Sequence, residues 1–366
     1  METLLESGTA GLHLPDALRA VQASQVEMFD PLGLADWDAM LDARGADSVF
    51  LSRGWAAVLS STYGYIPKYF GILQNTSFQA LLPVMEVDSW ITGRRGVGLP
   101  FSDLCSPRVA DVADFQTLLL RAISEGRRRR WRFIEIRGGG EFLENVSPYV
   151  SYFEHTVPLR NEFAPVEELK PEVRRAIQRA EREGVTVIVE QSWHATEEYY
   201  RLHCLTRNRH GVPPQPMAFF RNLWERIVNC GMGSVLLARV GRKTVAGAVF
   251  LRWGETALFK FGASDCFWHR VRPNNLLLWE AFKHYAHLGC RWISLGRTAK
   301  EDAGLRRFKL SWGAREREIR YFRFDLRHGR FIGRGEKWGA WGRKLIRRLP
   351  IPIARVVGKF AYRHVG

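Results

Sequence analysis

The stretch Arg272–Gly313, RPNNLLLWEAFKHYAHLGCRWISLGRTAKEDAGLRRFKLSWG, decides the reading of the fold. Arg272-Pro273-Asn274-Asn275 opens a helix, since proline suits a first helical turn whose N–H groups have no intrahelical partner. Leu276, Leu277, Trp279 and Phe282 give that helix its apolar residues, and Gly289 ends it. Trp292-Ile293-Ser294-Leu295 reads as a short buried strand, followed by Gly296-Arg297 and then by Phe308-Lys309-Leu310-Ser311-Trp312-Gly313. A loop that feeds a helix N-terminus beside a strand end presents amides and a positive dipole end to an anion. Lys309, set between two aromatics, adds a cation close by.

Working outward, the same order of elements occurs twice. In the first half Ala80–Val87 reads as a strand, and Gly96–Pro100 begins the next segment. An irregular loop passes through Cys105-Ser106-Pro107. Asp114–Arg127 makes a helix with Phe115, Leu118, Leu119 and Ile123 on one face, and Phe133–Arg137 closes the unit as a strand. In the second half the strands are Val245–Leu251 and Thr256–Phe261. The loop is Ala263–Pro273, the helix Asn274–Leu288 and the last strand Trp292–Leu295. The near-constant spacing predicts a duplicated β-β-loop-α-β unit, with chance alignment of ordinary α/β elements as the alternative. Between the copies Val173, Ala176, Ile177 and Ala180 fall at helical spacing among Arg174, Arg175, Arg179 and Arg182, with Gly184 at the helix end. Val185–Val189 then reads as a strand, and Thr196–Arg207 as a helix.

The 366 residues, 46% hydrophobic and 12% aromatic, are enough for two cores and exclude a mostly disordered chain. The five cysteines are scattered and form no CxxC, which argues against a disulfide framework and a zinc site and fits a reducing, cytosolic compartment. Met1-Glu2-Thr3-Leu4-Leu5-Glu6 lacks the basic start of a signal peptide, and no apolar run has the length to span a bilayer. The net charge of +16 is uneven: Arg327–Gly366 holds eleven Lys or Arg against the single Glu336, a net +10. Trp338, Trp341, Leu345 and Leu349 share one helical face in this tail, and Ile353, Val356, Val357 and Phe360 another beyond Pro350 and Pro352. Polyanions such as tRNA or an anionic membrane surface are the partners such a tail would meet, against the plainer reading of helices packed on the body.

Residues 45–326 resemble the FemABX-like branch of the GNAT acyltransferase superfamily. Leu51-Ser52, Trp55, Tyr63-Gly64, Leu82-Pro83 and Gly98-Leu99-Pro100-Phe101 carry the likeness in the first half. His203, Thr206-Arg207, His210-Gly211, Pro213, Pro273-Asn274, Gly289, Leu295-Gly296-Arg297, Phe308-Lys309 and Trp312-Gly313 carry it in the second. The resemblance implies a mixed α/β (α+β) fold of two tandem GNAT-like subdomains, residues 20–160 and 161–326, followed by the basic amphipathic tail 327–366. It implies transfer of an acyl or aminoacyl group from acyl-CoA or aminoacyl-tRNA to an amine, with no tightly bound cofactor. The acceptor class it suggests is a cell-envelope or exopolysaccharide precursor, with a small amine as the alternative, at or near the inner face of the membrane. A non-catalytic, membrane-docked assembly factor on the same fold is a further reading.

Aminolysis of an ester or thioester needs donors where negative charge develops, and a group to take the proton of the amine. Lys309 is the candidate for the first need or for gripping the donor, with Phe308 and Trp312 beside it; the plainer alternative is a surface lysine on a strand. Arg297 follows a strand end, where α/β sheets present ligands. His203 and His210 are candidate bases, with Asp265 and Glu135 as weaker ones, although Glu135 is equally placed to pair with Arg137. Arg207, Arg272, Asn274, Asn275 and Tyr63 are candidate substrate or donor contacts. The glycine turn that holds a CoA pyrophosphate in acetyl-CoA-dependent GNAT enzymes is missing: Arg270-Val271-Arg272-Pro273-Asn274-Asn275 stands in its place, and Arg94-Arg95-Gly96-Val97-Gly98 has the wrong spacing. Proline removes one amide a phosphate would use, which leaves Arg270 and Arg272 to supply side-chain contacts instead.

Overall fold

The computed structural model describes residues 25–42, 48–74, 76–159, 169–333, 346–347 and 349–365. The chain enters through β1 (Glu27–Phe29), α1 (Trp37–Asp42) and α2 (Arg53–Tyr63). The Ser52 side chain caps α2 by accepting from the Trp55 amide, and Gly64 ends it with φ 74°. Then come β2 (Ile66–Pro67), β3 (Tyr69–Gln74) and β4 (Ser77–Leu82), of which β1, β3 and β4 form a small sheet of their own. The expected strand Ala80–Val87 is therefore two strands in two sheets. Pro83, which cannot donate to a ladder, separates β4 from β5 (Met85–Val87).

The repeated unit forms as expected. β5 pairs antiparallel with β6 (Arg95–Val97), which crosses through α3 (Val112–Arg128) to run parallel to β7 (Phe133–Arg137). After β8 (Val150–Pro158), α4 (Pro171–Arg182), β9 (Val185–Glu190), α5 (Trp193–Arg209), α6 (Met217–Leu223) and β10 (Gly233–Val240), the order recurs. β11 (Lys243–Trp253) and β12 (Thr256–Ser264) are antiparallel, and α7 (Pro273–His287) crosses to β13 (Trp292–Ala299), parallel to β12. The chain continues through α8 (Ala303–Ser311), β14 (Arg315–Asp325), β15 (Arg330–Ile332) and α9 (Ile351–Val365).

Both units share one sheet, ordered β2-β5-β6-β7-β14-β8-β13-β12-β11-β10-β9. Two strands cross between the halves to make it continuous: β14 pairs with β7, and β8 pairs with β13. Alternation along β10 sends Leu236 and Ala238 into a core with α4 and α7, and Val235 and Leu237 into one with α2, α5 and α6. The sheet of the second half is thus covered on both faces. Val173, Ile177 and Ala180 are the buried residues of α4, while its arginines flank them. Phe308-Lys309 lies at the end of helix α8, not on a strand, because Asp302 caps the Leu305 amide and starts a helix there. Of the two tail helices expected, Ile353–Phe360 falls in α9, whereas Trp338, Trp341 and Leu345 lie outside the described residues.

Candidate active site

β12 and β13 are paired only over Thr256–Leu258 and Trp292–Ser294 and then diverge. The cause is local: Gly296 adopts φ 70°, a left-handed conformation that interrupts the strand, and the β8–β13 register shifts between Ser294 and Arg297. A wedge opens between the two strand ends. The carbonyls it turns aside at Gly296 and Arg297 accept hydrogen bonds from Lys309 Nζ at 2.8 and 3.1 Å.

Lys309 is 3% exposed. Burial pulls its pKa down to about 8, against the opposing pull of Asp103, Asp302 and Glu154. α8 holds it there through Trp312, which packs edge-on against Phe282 of α7 and Phe308. An ammonium has three N–H donors, and two point at backbone carbonyls. The third has no acceptor among the described residues.

From the other half comes a loop, Leu99–Asp103, bound almost wholly through its carbonyls. Leu99 and Phe101 take left-handed φ of 44° and 63°, which costs a non-glycine residue about 1 kcal/mol or more each. Arg137 donates to Leu99 O and Ser102 O, Lys260 Nζ to Phe101 O at 2.6 Å, and Tyr321 Oη to Asp103 O. The loop so held puts the Asp103 carboxylate 3.3 Å from Lys260 Nζ and 3.8 Å from Arg297 Nε, directly against Gly296. Lys260 is boxed by the rings of Phe50, Trp55 and Phe261, and burial lowers its pKa against the pull of Asp103. Arg297 lies over Tyr152 at 4.5 Å and donates to Tyr321 Oη.

Asp103 opens into a cavity of about 1180 Å3 between the halves. Glu154, Thr156, Ser294, Arg317 and Trp253 also line it. Glu154 accepts from Arg317 at 2.6 Å and from the Ser294 hydroxyl at 3.4 Å. Two carboxylates, Asp103 and Glu154, thus line one cavity, and Lys309 binds the carbonyls of Gly296 and Arg297 on the strand that Asp103 touches.

Of the residues expected from the sequence, Lys309 and Arg297 meet at this centre. Arg272, Asn274 and Asn275 stand where β12 leads into α7. Arg272 is exposed, takes left-handed φ 57° at the helix cap, and its carbonyl accepts from the Asn275 amide; Asn274 Nδ2 reaches Ser264 Oγ at 3.4 Å. The other candidates are elsewhere. Asp265 caps the turn Cys266–Val271 through the Phe267 amide, lies 3.9 Å from Lys243 and does not line this cavity. His203 is packed among Tyr199, Tyr200, Phe220 and Phe261, and burial lowers its pKa to about 3. It stays neutral inside the aromatic core and does not line the cavity that Asp103 opens into. Tyr63 belongs to the same core, stacked on Tyr65 and Phe219. His210 terminates α5, its pKa lowered by burial and by Arg209 and Arg207. Arg207 is spent on Pro213 O and the Tyr362 hydroxyl of α9. Glu135 accepts from Arg137 and Arg323 at 2.8 Å each; burial raises its pKa, but the two guanidiniums together hold it below the usual range. The Arg94–Gly98 lookalike is simply the strand β6 and its exit.

Sequence reasoning passed over Asp103, Lys260, Glu154 and Tyr321. Lys260 did leave a mark: a lysine within Leu258-Phe259-Lys260-Phe261, an otherwise apolar strand. Asp103 left none, because only long-range contacts aim it.

The acetyltransferase (GNAT) domain family model matches residues 169–310, the segment that contains the wedge and Lys309. No curated protein matches the sequence. Among solved structures, FemX superposes with a TM-score of 0.61 at 12% identity, covering 80% of this chain and 96% of its own. L-PGS from Bacillus licheniformis gives 0.51 at 11% identity, covering 86% and 97%. A conserved protein of unknown function from Bacteroides thetaiotaomicron VPI-5482 gives 0.51 at 13%, covering 81% and 99%. At these identities the likeness is one of fold. The splayed parallel strands, the fold and the matched segment define a GNAT-fold protein. It carries two GNAT-like units in tandem.

Proposed function

We propose that this chain is an N-acyltransferase that moves an acyl or aminoacyl group onto an amine of a cell-envelope or exopolysaccharide precursor. The observation that carries the reading is the meeting of three groups around Gly296: the spare N–H of Lys309, and the carboxylates of Asp103 and Glu154. The donor enters along the wedge between β12 and β13, its anionic part toward Arg272 and Arg270 at the start of α7, its carbonyl toward Lys309. The acceptor occupies the cavity, where Asp103 and Glu154 attract its ammonium. One carboxylate takes a proton from the ammonium, the free amine nitrogen attacks the carbonyl carbon, and Lys309 donates a hydrogen bond to the oxyanion. The C–N bond forms, the C–S bond of a thioester or the C–O bond of an ester breaks as the intermediate collapses, and the second proton of the nitrogen passes to the departing sulfur or oxygen.

The cavity volume favours a large acceptor over a small amine. About 1180 Å3 exceeds the 300–1,000 Å3 usual for small-molecule sites. The donor is acyl-CoA, the co-substrate of GNAT domains, or aminoacyl-tRNA. Calorimetry of acetyl-CoA with the full chain at moderate salt separates these two, with Lys309→Ala and Arg272→Ala alongside. Saturable binding weakened in both variants supports CoA. No binding leaves aminoacyl-tRNA as the donor, and the reading as a whole falls if neither donor acylates any amine.

A further inference from the structure

Helix α9 is seated on the body by its small side chains and leaves its large ones outside. Ala354, Gly358 and Tyr362, four residues apart, are the buried stripe. A Cβ on Gly358 would lie 2.0 Å from Pro214 O, so the helix backbone touches the loop after α5 directly. Polar contacts fix the seat. Tyr362 Oη donates to Pro213 O, and Tyr65 Oη donates to Tyr362 O. The helix C-terminus is closed by the β5–β6 turn, where Thr92 Oγ1 and Arg95 Nη2 donate to His364 O. On the opposite face Ile353, Val356 and Phe360 are 50, 56 and 66% exposed. A helix that needed only a core contact would bury these three instead.

The same turn extends the exposed strip. Trp90 and Ile91 are 87 and 56% exposed, and the Trp90 ring stands 5.7 Å from that of His364. Along one edge of the apolar face run Arg355, Lys359 and Arg363, all exposed and repeating every fourth residue. No acidic residue occurs in Ile351–Val365. A protein partner would have to satisfy this unbroken basic edge with acids of its own. An anionic bilayer supplies negative charge and hydrocarbon together, in that order from the surface inward, and tryptophan favours that boundary.

We infer that the face made by α9 and the Trp90–Ile91 turn docks on an anionic lipid surface, with Phe360, Val356, Ile353 and Trp90 entering the headgroup boundary. It lies on the surface without spanning, as no helix among the described residues is long and apolar enough to cross a membrane. The inference goes beyond the transfer chemistry and does not depend on it.

The test is co-sedimentation of the full chain with phosphatidylcholine vesicles with and without phosphatidylglycerol. Binding is expected to the anionic vesicles and to fall with added salt. Trp90→Ser with Phe360→Ser should weaken it at least tenfold; both side chains are exposed, so folding is retained, as circular dichroism would verify. Lys359→Gln with Arg363→Gln should weaken it about twenty-five-fold, at roughly fivefold per cation. Equal binding to neutral vesicles, or binding unmoved by either pair, overturns the inference. So does a dimer in sedimentation velocity that Trp90→Ser with Phe360→Ser dissolves without any change in vesicle binding.

Discussion

Replacing Lys309 by methionine tests the burial of its ammonium quantitatively. The folded-state pKa is pulled to about 8 from the ordinary 10.5, while the unfolded chain keeps the ordinary value. Below about pH 8 both states carry the proton, and the fold bears the full cost of burying it, on the order of 3 kcal/mol. Between about pH 8 and 10.5 the unfolded state binds more protons than the native one, so this contribution to stability rises with pH. Integrated from about pH 7 to about pH 9.5, the relief is about 2 kcal/mol. Lys309→Met removes the titration altogether, and leaves the Gly296 and Arg297 carbonyls without their donor at every pH. Urea unfolding of both proteins across this range reads the difference. The wild type should gain about 2 kcal/mol on the variant as pH rises. Parallel curves would refute a buried, depressed lysine at this position.

Lys260→Met removes the donor that straps Phe101 O and leaves the Asp103 carboxylate short of a cation, at a cost of about 3 kcal/mol. Steady-state kinetics should show the acceptor KM raised, with affinity for the donor retained. His203→Phe should leave the pH–rate profile of transfer unmoved, since a histidine already neutral above about pH 3 supplies no titration near neutrality. Gly358→Ala drives a methyl group into Pro214 O and should lift α9, at about 1–3 kcal/mol. Limited proteolysis should then cut within α9 while the sheet stays resistant.

Local signals in the sequence specified the elements but not their exchange. Phe133–Arg137 was legible as a strand because its apolar residues stand between a basic run and three glycines, and α7 because proline opens it and glycine closes it. Pro83 splits what alternation alone reads as one strand, since only the tertiary fold sends its two halves to different sheets. Lys309 was legible through its motif, yet its burial was not, because Trp312 and Phe282 are brought together from 30 residues apart. The histidines misled in the opposite sense. Histidine is a natural base by its intrinsic pKa, but His203 sits on the core-facing side of α5, where desolvation decides. The Asp103 loop is held by Arg137, Lys260 and Tyr321, the last more than 200 residues away, so no local pattern could have pointed to it.

Acyl transfer itself is the most direct measurement. Labelled acetyl-CoA and labelled aminoacyl-tRNA are offered separately, each with a series of amine acceptors up to peptidoglycan- and polysaccharide-precursor size, to the wild type and to Lys309→Met and Asp103→Asn. Label moving to an amine from one donor, and falling at least a hundredfold in both variants while they remain folded, is the predicted result. No transfer from either donor, or transfer untouched by the two substitutions, would contradict a catalytic centre at Gly296.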